Sequence, residues 1–100
     1  MDNYPDEADL KRITEWPMKS EEEFEQVMEF VKRIWHWDFV VKEGGAWRLA
    51  TGGWSGNEDI ISAMMQNFML LAMAWQSSHR GGLHWFAWPV RDQKDPGDKP

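Results

Sequence analysis

Apolar positions in this chain recur with helical spacing in two stretches and with strand-like character in three. Phe24, Val27, Met28, Val31, Ile34 and Trp35 fall three and four apart, while Glu21, Glu22, Glu25 and Glu29 lie elsewhere on the same wheel. That spacing predicts an amphipathic helix running to about residue 35. Ser20-Glu21-Glu22-Glu23 reads as a capping box at its start: the serine oxygen accepts an orphan backbone N–H and the third glutamate reaches back. Early glutamates and late Lys32 and Arg33 also suit the helix dipole.

Trp37-Asp38-Phe39-Val40-Val41 is rich in aromatic and β-branched residues, Gly44-Gly45 signals a turn, and Trp47, Leu49 and Thr51 alternate with Arg48 and Ala50. These residues predict a β-hairpin. The segment Gly52 to Glu58 then breaks the strand, and either Ser55 or Asn57 can cap a following helix. From Asp59 to about Ser77 the apolar residues cover more than half of the helix circumference, which predicts a buried helix ended by Arg80-Gly81-Gly82. Ser62, Gln66 and Asn67 interrupt it, and the uninterrupted apolar run is too short to cross a bilayer. Leu83 to Trp88 reads as a third strand, closed by Pro89.

Around this framework, residues 1–19 form an N-terminal arm in which Pro5 and Pro17 bracket Leu10 to Trp16, a stretch that suits a helical turn or an extended segment equally. Residues 20–89 form the domain, and residues 90–100, with almost nothing to bury, form a flexible charged tail. The expected fold is α+β with element order α-β-β-α-β. A right-handed crossover makes the second and third strands parallel, giving a three-stranded sheet of order 2-1-3 with both helices packed on one face. A second helix of about twenty residues is ~30 Å long. It therefore separates the Gly52–Glu58 loop from the Arg80–Gly82 loop, and gathers Trp35, His36, Trp37 and Trp88 near the former.

Composition narrows the function classes. One hundred residues suit one domain, and eight tryptophans supply the large side chains that a small core needs. With no cysteine, neither disulfides nor thiolate metal sites are available. The acidic N-terminus has no apolar stretch of the kind a signal peptide carries, so a cytoplasmic location, in a host cell, is the default expectation. Residues 1–29 hold ten acids against Lys11, Arg12 and Lys19, whereas residues 30–100 hold seven acids against eight bases. The negative charge is therefore N-terminal. It opposes nucleic-acid binding and makes a basic or neutral protein surface the more natural partner, although a solvated helix face that keeps the protein soluble is the simpler reading.

The loop Gly52-Gly53-Trp54-Ser55-Gly56-Asn57-Glu58 draws most attention, because glycines permit close backbone approach and free N–H groups at a helix start attract anions. It is neither a Walker loop nor a dinucleotide fingerprint, and capping alone also accounts for Ser55, Asn57 and Glu58. Trp37, Trp54 and Trp88 are candidate anchors for a partner or a stacked ring, and Arg80 is a candidate contact on the later loop. Met65, Met69 and Met73 form a helical stripe that reads as core or as a homo-oligomer interface. His36, His79 and His84 with Glu58 are the acid–base groups, yet they have no helical zinc spacing and no clear nucleophile. No cofactor, catalytic residue or metal ligand is assigned.

The boxes Thr51-Gly52-Gly53-Trp54-Ser55-Gly56-Asn57-Glu58 and Ser78-His79-Arg80-Gly81-Gly82-Leu83-His84-Trp85-Phe86 resemble those of a set of small bacteriophage proteins, over about two-fifths of the chain. Leu83 stands where that pattern has histidine, with His84 one place later. The resemblance implies a phage or prophage origin and an accessory protein that binds and modulates or inhibits a host protein, including a defence system, without catalysis. The alternative expectation is a protein that binds or sequesters a small nucleotide-like anion on the glycine-rich loop.

Overall fold

Two polar side chains, Ser20 and Asn67, set the helix boundaries in the computed structural model, which describes residues 4–89. Ser20 Oγ accepts from the Glu23 N–H at 3.3 Å and starts α2 (Glu21–Ile34), while Glu23 Oε1 reaches past the cap to the Lys19 N–H at 2.7 Å. Phe24, Val27, Met28 and Val31 lie buried on its inner face. Residues ahead of Pro17 form α1 (Glu7–Thr14), whose Ile13 is fully buried.

Asn67 divides what the sequence predicts as one long helix into α3 (Ser55–Gln66) and α4 (Phe68–Ala74). Its backbone is extended, its Oδ1 accepts from the Leu70 N–H at 3.0 Å, and its Nδ2 donates to the Ile13 and Trp16 carbonyls at 2.9 and 3.1 Å. The break is stable because this buried amide satisfies the end of α1 as well as the start of α4.

Among the described residues, four helices accompany four strands: β1 (Val40–Glu43), β2 (Ala46–Ala50), β3 (Trp75–His79) and β4 (Leu83–Ala87). The sheet is antiparallel throughout, in the order β1-β2-β4-β3. This corrects the expected three-stranded, partly parallel sheet of order 2-1-3 with two helices. The helical pattern ends at Ala74, so Trp75–His79 has room to become an edge strand, and Arg80-Gly81-Gly82 joins it to β4 as a hairpin loop. Gly81 and Gly82 have φ of +89° and +81°, the same left-handed requirement that makes glycine a helix terminator.

One sheet face carries Val40, Trp47, Leu49 and Phe86 into a core shared with α2, α3, Ile13 and Leu70. On the other face Arg48 pairs with Glu43 at 3.2 Å, and Trp85 sits half-exposed in register with Arg48. The hairpin correction also reverses the expected ends of the molecule. The Thr51 N–H donates to the Gly82 carbonyl at 3.0 Å, which brings the Arg80–Gly82 loop to the same end as Gly52–Glu58. Trp88, following Ala87, lies at the opposite end, where Ala87 pairs with Ala46 and the Trp88 ring meets Phe24 at 5.8 Å. The expected flexible tail, 90–100, lies outside the described residues. Among those described, no helix is long and apolar enough to cross a membrane.

Candidate functional site

The turn from β2 into α3 needs glycine for two separate reasons. Gly52 and Gly53 have φ of +64° and +78°, which L side chains rarely adopt. A Cβ on Gly52 would also fall 2.7 Å from the Trp37 ring. Gly56, the second residue of α3, has the Trp54 ring lying across it, and any side chain there would strike that ring.

Trp54 itself occupies the cap position of α3, with extended backbone and no side-chain cap hydrogen bond. Ser55 is already the first helical residue, and its Oγ lies 2.9 Å from the Tyr4 hydroxyl. Asn57 is fully buried and bonded inward: its Oδ1 accepts from the His36 N–H at 2.8 Å, and its Nδ2 donates to the His36 and Thr51 carbonyls at 3.0 and 3.2 Å. This amide acts as a short piece of strand, clamping the segment after α2 against the glycine loop.

The clamp holds an aromatic surface. His36 lies 4.4 Å, centroid to centroid, from both Trp37 and Trp54; Trp54 lies 4.7 Å from Tyr4 and 6.4 Å from Trp37; Trp37 lies 5.5 Å from Phe39. Tyr4, Trp37 and Phe39 remain 53%, 49% and 42% exposed, and Trp54 is half-buried. Trp37 has φ of +71°, the one non-glycine residue with positive φ among those described. For a residue of this bulk that conformation costs on the order of 1–3 kcal/mol and persists because its neighbours enforce it.

A second, polar group adjoins this end. Thr51 Oγ1 lies 3.5 Å from Glu58 Oε2, and Ser78 Oγ, which accepts from the Trp75 indole N–H at 3.0 Å, lies 2.7 Å from His84 Nδ1. Burial holds the His84 pKa below its usual value, opposed by the nearby Glu58 carboxylate and reinforced by His79. Ser78 and His84 are cross-strand partners, so sheet register alone brings them together.

The structure thus gathers Gly52, Gly53, Trp54, Ser55, Glu58 and Trp37 at one end, with Asn57 beneath them as an internal clamp. Arg80 is exposed in the adjoining hairpin loop, and Trp88 belongs to the opposite end. Of the Met stripe, Met69 is 44% exposed, while Met65 and Met73 are half-buried. Tyr4 and Phe39 are members of the aromatic surface that the sequence did not single out. Phe39 reads as strand interior, and Tyr4 precedes a proline in an acidic arm, so neither carries a periodic signal. No family model, curated protein or solved structure matches this chain.

Proposed function

We propose that this domain is a non-catalytic binding module that docks a partner protein on the Tyr4, Trp37, Phe39 and Trp54 surface. The observation that carries this reading is Trp37, a large ring left half-exposed on a left-handed backbone. A side chain that contributes little to the core is held at a conformational cost, which marks function rather than packing. Large aromatic side chains are the residues that most often anchor protein interfaces. The resemblance of residues 49–86 to phage proteins supports a host protein as the partner, within the accessory role described above.

The anionic-ligand alternative is disfavoured by charge. The segments that build this end, residues 4–9, 35–39 and 51–59, hold Asp6, Glu7, Asp9, Asp38, Glu58 and Asp59 and no lysine or arginine. A nucleotide-like anion would bind among segments that carry six carboxylates and neither of those bases.

The test is affinity capture from host extract, followed by titration of the purified partner. A Trp37→Ala/Phe39→Ala variant should retain the parent melting behaviour and lose at least about 100-fold in affinity. Phe68→Ser, at the start of α4 and beyond the far end of α3, itself roughly 18 Å long, should leave binding unchanged. A partner held equally by the double variant would overturn the assignment.

A further inference from the structure

We infer that the aromatic end recognises a basic segment of its partner, with an arginine or lysine head group seated between the aromatic rings and the carboxylates of the N-terminal arm. This rests on the docking function proposed above and names the chemistry of the occupant.

Three observations converge on it. The first is a cleft of about 390 Å³ between the start of α1 and the segment after α2, lined by Tyr4, Asp6, Asp9, Arg33, His36 and Trp37 among others. That volume accommodates an extended basic side chain and its neighbours. The Arg33 guanidinium carbon lies 5.6 Å from the Phe30 ring, so this cation is engaged by another ring.

Charge supplies the second. Residues 4–9, 35–39 and 51–59, which carry the rings, hold six carboxylates and no lysine or arginine, against Arg33, which lines the cleft, and Arg80, exposed in the adjoining hairpin loop. Among the described residues, neither Asp6 nor Asp9 forms a salt bridge. The potential over this end is therefore negative, and it attracts and orients a cationic partner.

The third is a contrast within the molecule. Arg12 sits 5.0 Å from the Trp16 ring and 4.7 Å from Phe30, and Lys42 sits 5.5 Å from Trp47, so the chain covers other rings with its own cations. Among the described residues, no cation covers Tyr4, Trp37, Phe39 or Trp54. A ring face is a favourable seat for a cation, and here that seat is left to an outside group.

The full chain should be titrated, by fluorescence anisotropy, with three labelled octapeptides of alternating glycine and arginine, lysine or citrulline. The arginine and lysine peptides should bind, and the citrulline peptide, isosteric but neutral, should bind at least about tenfold more weakly than arginine. Asp6→Asn/Asp9→Asn should weaken the arginine peptide by at least about tenfold and flatten its salt dependence. Asp6 makes no side-chain capping bond, so this variant should fold as the parent does. Glu21→Gln/Glu22→Gln, which removes the same charge from the start of α2, should change binding less than about twofold. Equal binding of the citrulline peptide, or equal loss in the two double variants, would overturn the inference. If partner capture still depends on Trp37 and Phe39 in that case, docking stands and only its cationic chemistry falls.

Discussion

Trp47 and Trp37 are the same residue type ten positions apart, and they divide the molecule into two regions. Trp47 lies at the centre of β2, 1% exposed, among the residues that join sheet to helices. Trp37 lies on a strained turn at one end and is half in solvent. Alternation on a strand sends Trp47 inward as a matter of course, whereas Trp37 is turned outward by a backbone that Asn57, Gly52 and Phe39 fix. Tryptophan content alone therefore says nothing about core or surface, and the backbone that carries each ring decides.

The most severe way to test that division is to truncate both rings. Trp47→Ala should cost about 3–5 kcal/mol in chemical denaturation, because a large buried ring is lost and the core cannot fully collapse around the space. For a domain of this size, such a loss is a large share of total stability. Trp47 Nε1 is buried without a partner, so Trp47→Phe should cost well under half as much as the alanine change, since it also removes an unsatisfied donor. A phenylalanine variant as unstable as the alanine variant would show that ring size alone matters there.

Asn57 joins the two regions and ranks next. Asn57→Ala strands the His36 N–H and carbonyl and leaves the Thr51 carbonyl with the Trp54 N–H alone, at an expected cost of about 2–4 kcal/mol. It should also release the Trp37 turn. Partner binding should therefore fall along with the melting temperature, whereas Trp47→Phe should leave binding intact.

Much of this arrangement could be read from the residues, and the parts that could not have physical reasons. Ser20 and the spacing of Phe24 to Val31 announce α2, because capping and amphipathic period are local properties. Gly44, with φ of +64°, turns β1 into β2 through a two-residue loop, again a local requirement. Asn67 was visible in the apolar run, but its power to break a helix comes from the Ile13 and Trp16 carbonyls, which are more than fifty residues away. Gly81-Gly82 signals a left-handed backbone in a helix terminus and in a hairpin alike, so the sequence pattern could not choose between them. That ambiguity moved Trp88 to the wrong end. Trp37 read as the start of a strand, because a left-handed tryptophan has no sequence signature.

Trp37→Gly sharpens the comparison in the opposite direction. Glycine tolerates φ of +71°, so the variant recovers conformational strain while losing only a half-exposed ring. The gain is partly offset by glycine's greater unfolded-state freedom, and stability should stay within about 1 kcal/mol of the parent. Binding should nonetheless be lost. A variant that unfolds with the severity of Trp47→Ala would place Trp37 among core residues and remove the distinction.

The smallest expected effect concerns pH, through His84, which lies between the two regions, bonded to Ser78 on one side and near Glu58 on the other. Burial lowers its pKa in the folded chain below the 6.5 of a free histidine. As pH falls through that value the unfolded chain takes up a proton that the folded chain refuses, so stability declines until the lower folded pKa is passed. His84→Gln removes this contribution, and its stability relative to the parent should rise as pH is lowered from about 7.5 to about 5. Glu58→Gln should act oppositely, since losing the carboxylate that raises the His84 pKa lowers it further and steepens the decline. Denaturation midpoints of the three proteins across that range decide the matter. A flat difference between parent and His84→Gln would mean that the imidazole is as well solvated in the fold as in the open chain, and that the sheet end beside Glu58 belongs to the solvent-facing region.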